Sequence, residues 1–225
     1  MNRYIDLSHV IYDKTVTYPG DKPASIKTLL NRDESKILHG GGDSAGCIIN
    51  EICIVSTSGT YIDAPNHVFE DGHSIKDYPL EKLVNIPGVV VRLSNDRNYF
   101  DCNDIDNIDV CGKAILFFTG HDKFFMTEKY GVNSPYLTHE LAKLLVEKKA
   151  AFVGIDTPLV DNIDRMNLIG VPVHYELLAN EIPICEDMTN ISKLPNYGFT
   201  ITAVPPRIDV ESFPARVFAT IDLDE

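Results

Sequence analysis

The 225-residue sequence lacks the patterns typical of membrane-embedded, secreted and nucleic-acid-binding proteins. No apolar stretch approaches the roughly 20 residues that a membrane-spanning helix needs. The opening residues, MNRYIDLSHVIYD, lack the apolar core of a signal peptide, so we expect a cytoplasmic protein. Basic residues are few: 20 Lys and Arg against 33 Asp and Glu give a formal net charge of -13. That balance opposes binding to nucleic acid or to an anionic membrane surface.

Cysteine pairs and two common catalytic motifs are missing as well. The five cysteines form no CxxC pair, and their odd number argues against a disulfide framework and for free thiols in a reducing compartment. No GxSxG elbow is present. The GGGD at residues 40–43 is not followed by Lys-Ser or Lys-Thr, which excludes a phosphate-binding loop of the P-loop type.

The remaining sequence predicts one mixed α/β domain over residues 1–225, because no repeat or Gly/Ser linker divides it. Runs rich in β-branched residues predict strands at 48–55, 88–93, 114–119, 151–155, 199–204 and 216–221. Helices are predicted at 138–149 and 173–179, and a shorter one after Pro79 with Leu80, Leu83 and Val84 facing inward. Residues 31–46 and 156–170 are predicted as long loops. Strands outnumber helices, so we expect an antiparallel or mixed sheet as the core.

The segment STSGTYIDAPNH, residues 56–67, follows an apolar run and carries both an Asp and a His. If residues 57–63 are extended, alternate side chains share one face, and Pro65 then turns the chain so that His67 can return towards Asp63. A carboxylate can bind a cation, and a nearby imidazole can act as a general base near neutral pH. The alternative is structural: Asp63 caps a turn and His67 is a surface residue.

A second candidate pair is His174 and Glu186 in the segment GVPVHYELLANEIPICEDMTN. Glu186 ends an apolar strand, where a buried carboxylate needs a partner or a metal ion. The two side chains offer a nitrogen and an oxygen ligand suited to zinc or manganese. Packing of His174 against leucines, with Glu186 in a salt bridge at the rim, explains the same pattern equally well.

Two further predicted strands end in polar side chains that are weaker candidates for a functional role. His121 in FFTGHDKF follows a strongly apolar strand, from which it could line a pocket or face solvent. Asp156 in VGIDTP ends another strand, where it could orient a metal-binding histidine or cap the next turn.

With Asp63, His67, His174 and Glu186 in place, the sequence resembles the cyclase family of metal-dependent hydrolases, which includes bacterial kynurenine formamidase and isatin hydrolase. The family signature is close to HxGTHxDxPxH, and the aligned residues here read TSGTYIDAPNH. The similarity extends over nearly the whole chain in the same order: YIDLSHVI, YPGDKPA, FFTGHD, FVGIDTP, PVHYELLANEIPICEDMTNISKL and FPARVFATI.

The resemblance implies a swivelling β/β/α fold, with a β-rich, barrel-like core flanked by helices, and a homodimer or higher homo-oligomer. It implies two metal ions, zinc or manganese, and a small-molecule substrate. Carried over by position, Asp63, His174 and Glu186 match metal ligands, and His67 matches the catalytic acid/base.

Thr57 and Tyr61 stand where the family has two histidine ligands, which should abolish or weaken the first metal site. A threonine hydroxyl is a poor ligand, and a tyrosine phenol must lose a proton with a pKa near 10 to ligate well. We therefore expect one divalent metal per subunit, held by Asp63, His174 and Glu186. Tyr61 becomes a candidate catalytic donor, and Thr57, His121 and Asp156 are candidates for substrate binding or for support of the site.

Three functions follow from these residues and this resemblance. The first is a metal-dependent hydrolase of a small amide, formamide or lactone, with His67 activating water. The second is a cyclase or dehydratase, a lyase acting on a small carbonyl acid. The third is a metal-free descendant that binds a small molecule. Fold-level similarity alone does not identify a substrate.

Overall fold

The computed structural model describes residues 2–38, 45–94 and 96–222. In these ranges the strands are β1 (Asn2–Asp6), β2 (Ser25–Leu30), β3 (Ile49–Cys53), β4 (Tyr61–Asp63), β5 (Ile86–Arg92), β6 (Tyr99–Phe100), β7 (Ala114–Phe118), β8 (Tyr136–Leu137), β9 (Phe152–Ile155), β10 (Ile184–Glu186), β11 (Phe199–Val204), β12 (Ser212–Pro214) and β13 (Arg216–Asp222). The α-helices are α1 (Arg32–Leu38), α2 (His139–Glu147), α3 (Met166–Ile169) and α4 (Pro172–Ala179).

Nine strands form one curled, mixed sheet in the order β1-β13-β11-β5-β7-β9-β10-β4-β12. The central strands β5, β7, β9 and β10 pair in parallel, and the flanking pairs are antiparallel. Two short ribbons, β2–β3 and β6–β8, stand outside this sheet. The α/β class and the β-rich, barrel-like mixed sheet expected from the sequence are confirmed.

The two faces of the central strands are both buried, which explains their continuous apolar sequences. Ile115 and Phe117 of β7 pack into a cluster with the leucines of α2 and α4, whereas Leu116 between them belongs to the cluster inside the curl of the sheet. Successive side chains of a strand point to opposite faces of the sheet, so the apolar residues of β7 contribute to two hydrophobic cores. The sheet between these cores holds the strand ends on which the candidate site is built.

Helix α2 begins as predicted, with the Thr138 side chain accepting a hydrogen bond from the backbone N–H of Leu141. Leu141 and Leu145 are buried on its inner face. The helix ends at Glu147, two residues earlier than expected. Helix α4 begins one residue earlier than predicted, because Pro172 suits the first helical position.

Several local predictions are wrong. Residues 31–46 are not simply a loop, because α1 occupies Arg32–Leu38; residues 39–44, which include the whole GGGD segment, lie outside the described residues. The predicted 156–170 loop contains a 3₁₀ turn and α3. After Pro79 the chain makes only a 3₁₀ turn, and Leu80 is 59% exposed instead of facing inward. In the described ranges, no helix has the length and apolarity needed to cross a membrane.

Candidate active site

Three buried side chains meet where β4, β10 and α4 converge. Asp63 ends β4, Glu186 ends β10, and His174 lies in the first turn of α4. Strand β4 pairs antiparallel with β10, so that Tyr61 lies directly opposite Glu186. Directly opposed residues project from the same face of a sheet. The register therefore places Tyr61, Asp63 and Glu186 on one face, beside the imidazole of His174.

The geometry of this triad fits a cation. One ligand atom from each of Asp63, His174 and Glu186 lies within 4.8 Å of the other two. The Nε2 atom of His174 is 3.7 Å from Asp63 Oδ2 and 3.3 Å from Glu186 Oε1. Asp63 Oδ2 and His174 Nε2 are buried without a hydrogen-bond partner in the described part of the chain. Buried polar atoms are normally satisfied, so two orphans facing each other point to a missing ligand.

A second layer of groups orients each member of the triad. Asp161 Oδ2 lies 2.7 Å from His174 Nδ1, and the carboxylate also accepts from the backbone N–H groups of Val173 and His174. Glu186 accepts from the Val160 N–H through Oε1 and from the Tyr61 hydroxyl through Oε2. The contact from Asp161 to Nδ1 leaves His174 Nε2 directed at Asp63 and Glu186, as in many protein metal sites.

The electrostatics of the site are dominated by its carboxylates. Burial alone lowers the pKa of His174, but Glu186, Asp161 and Asp63 outweigh it and raise the pKa well above its ordinary value. A protonated His174 would thus neutralise part of the cluster, and a metal ion must displace that proton. Burial, together with Glu186, raises the pKa of Tyr61 well above 10, so that Tyr61 is a phenol that donates to Glu186.

His67 lies beside the triad, at the end of the 3₁₀ turn Pro65–His67. Its Nδ1 is 3.9 Å from Asp63 Oδ1 and 3.2 Å from Ser212 Oγ. Ser212 pairs directly opposite Asp63 in β12, and its hydroxyl donates to Asp63 Oδ1. Because that hydrogen is already used, the Ser212 oxygen is the acceptor for His67 Nδ1–H. The Nε2 lone pair of His67 is then left free.

The predicted return of His67 towards Asp63 is therefore present, but the extended segment before it is not. Residues 57–60 form turns and bends, and only Tyr61–Asp63 is strand. Gly59 has φ +67, and a Cβ there would meet the Ile11 side chain at 2.9 Å. The glycine thus permits a close packing of the chain on itself.

A cavity of about 190 Å³ lies against Tyr61 and His67, the two side chains that adjoin Glu186 and Asp63 of the triad. It is lined by Thr17, Tyr18, Asp21, Thr57, Tyr61, His67, Pro158, Leu159 and Asp187. Four larger clefts, of about 380 to 620 Å³, have neither the triad residues nor His67 in their linings. The triad residues do not line the smaller cavity either, but Tyr61 and His67, which lie against them, do. The smaller cavity brings the candidates Thr57, Tyr61 and His67 together, with the triad behind Tyr61 and His67.

The other two candidates lie elsewhere. His121 is buried, with Nε2 at 2.8 Å from the Tyr130 carbonyl oxygen and its ring stacked on that tyrosine. Asp156 accepts from the backbone N–H and hydroxyl of Thr119 and from the N–H of Gly120. Burial raises its pKa to about 7 despite these hydrogen bonds. Its contacts therefore go to the turn after β7 and not to a histidine.

Sequence reasoning missed Asp161, Ser212 and Asp187. Asp161 is one of several acidic residues in DTPLVDNID, and nothing in the sequence distinguishes it from the others. Asp187 directly follows Glu186, which was the stronger candidate for a metal ligand. Asp187 is 1% exposed, accepts a hydrogen bond from the Tyr130 hydroxyl and lines the cavity. Ser212 carried no signal, because only strand pairing brings it to Asp63.

Comparison with known proteins gives a consistent result. The family model described as Cyclase matches residues 5–162, more than half of the chain. The chain belongs to the cyclase family. Kynurenine formamidase of Geobacillus thermodenitrificans is 28% identical over 218 residues, 96% of both proteins, and that of Bacillus cereus (strain ATCC 14579) is 25% identical over the same share.

Solved structures share the cyclase fold. Isatin hydrolase A from Ralstonia solanacearum superposes with a TM-score of 0.82 at 20% identity, covering 98% of this chain and 92% of that one. A protein described as a potential metal-dependent hydrolase with cyclase activity superposes with a TM-score of 0.78 at 21% identity, covering 99% of both chains. At these identities the structural likeness establishes the fold of this cyclase-family chain.

Proposed function

We propose that this cyclase-family protein is a hydrolase of a small amide, formamide or lactone that uses one divalent metal ion, zinc or manganese. The observation that carries the proposal is the Asp63–His174–Glu186 cluster, with its two facing, unpartnered atoms, next to Tyr61 and His67, which line a cavity. The hydrolase names of the relatives support the same chemistry.

The triad supplies one nitrogen and two oxygen donors, a set that suits zinc or manganese with a position left for water. A divalent metal held there would polarise a scissile carbonyl and supply a water of lowered pKa. The family's second ion lacks two of its ligands here, because Thr57 and Tyr61 replace histidines. The Tyr61 hydroxyl already donates to Glu186, which supports a site for one ion.

His67 is the proposed general acid/base. The contact from Ser212 holds its Nδ1 proton, so that Nε2 can accept a proton from water and return it to the leaving group. Such proton transfer is worth roughly 10²–10⁴-fold in rate. In the same proposal Thr57 offers its hydroxyl group to the developing oxyanion or to the substrate, and Tyr61, whose hydrogen is donated to Glu186, offers its oxygen to a substrate donor. Asp156 and His121 support the loops behind the cavity.

A metal-free binding protein is the second candidate, and one observation favours it. The raised pKa of His174 means that its protonated ring can partly balance Asp63 and Glu186 without a metal ion. In that case the cavity would bind a small molecule without hydrolysing it.

Metal content and activity separate these two functions. Elemental analysis of the purified protein, followed by assays on formyl-kynurenine, isatin and simple lactones, should give about one zinc or manganese per chain and turnover of at least one substrate. His67→Ala should lower kcat roughly 10²–10⁴-fold without removing the metal. His139→Ala is the matched control, since His139 lies on α2 and contacts Glu176.

A protein without metal and without activity, or a His67→Ala variant as active as wild type, would refute the proposal. The homodimer or higher oligomer implied by the family belongs to the same proposal. Light scattering of the purified protein at several concentrations would test it.

A further inference from the structure

The β2–β3 ribbon, Ser25–Leu30 with Ile49–Cys53, stands outside the nine-stranded sheet. In the described ranges its two strands pair only with each other, and all five residues of β3 are exposed. A two-stranded ribbon is at best marginally stable in water unless it packs against another surface. The ribbon therefore needs more cover than the described part of its own chain supplies.

Both faces of the ribbon carry apolar side chains. Ile26 lies directly opposite Ile52, and beyond an irregularity in the register Leu30 lies opposite Ile49. Ile49 and Ile52 are an odd number of positions apart, so they project from opposite faces of β3. Ile52 is 64% exposed and Ile49 is 50% exposed. An antiparallel ribbon with one face in solvent would instead show a polar outer face.

The exposed apolar surface is large enough to form a major part of a protein–protein interface. Ser35 Oγ of α1 lies 3.0 Å from Cys47 Sγ, which holds the helix beside the start of β3. Six Leu and Ile residues in or next to the ribbon are between 44% and 80% exposed: Leu29, Ile37, Leu38, Ile48, Ile49 and Ile52. At about 60–120 Å² of apolar area per side chain, they leave on the order of 200–450 Å² in water. A standard interface buries about 800 Å² per partner, of which about 450–520 Å² is apolar.

The composition of this surface fits a second copy of the same chain. Strands β2 and β3 contain no Trp, Tyr or Arg, the residues that anchor many transient interfaces. Aliphatic surfaces are typical of obligate homodimers, whose interfaces resemble a domain core cut in half. A ribbon that needs cover to stay folded also needs a partner that is always present at equal concentration, and a second copy meets that condition.

The charge of the ribbon supports the same partner. The whole chain has a formal net charge of -13, so most surfaces of two copies repel each other. In the ribbon the only charged residues are Lys27 and Glu51, which lie directly opposite each other and cancel. The ribbon is thus a neutral, apolar surface on which two acidic chains can meet.

The ribbon begins and ends at the wall of the active-site cavity. Asp21, in the cavity lining, precedes β2 by four residues, and Thr57, also in the lining, follows β3 by four residues. Asp13 Oδ1 accepts a hydrogen bond from the Ile26 N–H and so fixes the base of the ribbon. A second copy that covers the ribbon would therefore lie next to the cavity.

We propose that the β2–β3 ribbon, together with α1, is the surface through which two copies of this chain associate, beside the active-site cavity of each. The inference rests on the homo-oligomer of the proposed function and names the surface that forms it. In a symmetric pair each copy contributes the same patch, so a single substitution changes the interface twice.

Substitutions on the ribbon test this surface through the assembly state. Ile52→Glu places a carboxylate in the interface and should raise the dissociation constant of the dimer at least about 100-fold. Ile52→Thr keeps a β-branched residue in the strand and should raise it about tenfold. Leu80→Glu is the matched control, because Leu80 is 59% exposed and lies outside the ribbon, and it should leave the constant unchanged. Sedimentation over a dilution series measures the constant, and circular dichroism reports folding of each variant.

Hydrogen exchange of the wild type gives a readout that does not depend on a variant. A free two-stranded ribbon opens at almost no cost in free energy, whereas a covered one opens only when the dimer does. The backbone N–H groups that pair β2 with β3 should therefore exchange at least about 100-fold more slowly than those of an unstructured peptide.

A wild type that is monomeric at every concentration, or ribbon N–H groups that exchange at the peptide rate, would overturn the inference. So would an oligomer whose dissociation constant a folded Ile52→Glu or Ile52→Thr leaves unchanged. Failure of the proposed hydrolase is a separate result, because it appears as absent metal and absent turnover whatever the assembly state.

Discussion

Replacing Asp161 with Asn tests whether this carboxylate prepares His174 for a metal ion. Asp161 is 1% exposed, lies 2.7 Å from His174 Nδ1 and accepts from two backbone N–H groups at the start of α4. An asparagine keeps the shape but has only one acceptor oxygen, so its NH₂ group must face a donor that the carboxylate satisfies. The charge-assisted contact to the imidazole is lost as well.

The expected magnitude has two parts. Loss of a buried hydrogen bond to a charged group should lower the free energy of unfolding by about 1.5–3 kcal/mol. Loss of the carboxylate behind a metal-binding histidine should weaken zinc or manganese affinity about 10–100-fold, or about 1.4–2.7 kcal/mol. Urea unfolding measures the first effect, and calorimetric metal titration of the chelated protein measures the second.

Asp164→Asn is the control for this experiment, because Asp164 is an exposed carboxylate three residues further along the same segment. It should change neither quantity by more than about 0.5 kcal/mol. A folded Asp161→Asn protein that binds metal as tightly as wild type would refute the assigned role of Asp161.

Three other substitutions test neighbouring parts of the account. Tyr61→Phe removes the donor to Glu186 and should lower the free energy of unfolding by about 1.5–3 kcal/mol in urea melts, and an unchanged midpoint would contradict the contact. Ser212→Ala releases the Nδ1 proton of His67 and should lower kcat about 10–100-fold with little change in KM; a change in KM alone would argue against it. Burial lowers the pKa of His9 to about 4 from 6.5. The unfolded chain therefore binds more protons between those values, and His9 should cost up to about 3 kcal/mol of stability as the pH falls from 6.5 to 4. His9→Gln should flatten that part of the curve, and parallel curves for both proteins would contradict this reasoning.

The sequence predicted those parts of the fold that depend on local pattern. The central strands β5, β7 and β9 and the helix α2 were readable, because continuous apolar runs and an N-cap threonine are local signals. Helix α1 was missed, since it is short and largely exposed, with little apolar periodicity to indicate it.

The residues of the candidate site likewise fall into those that local sequence indicates and those that only the fold brings together. Asp63 and His67 lie within one short segment that follows an apolar run, and Glu186 ends another apolar run, so all three are indicated by local pattern, and the family resemblance then assigned them roles. Ser212 and Asp161 reach the site only through the β12–β4 pairing and the start of α4, and single-sequence patterns do not encode such long-range registers. Asp187 was hidden for another reason, because its role depends on a left-handed backbone and on Tyr130 from a distant loop.

The central claim is that Asp63, His174 and Glu186 bind one divalent metal ion. Its most direct test is anomalous diffraction from crystals grown with zinc or manganese, with metal titration of the wild type and of His174→Ala in solution. The account predicts one strong anomalous peak per chain between these three side chains, and loss of that stoichiometric binding in the variant. A triad without a peak at saturating metal, with His174 paired only to carboxylates, would contradict it.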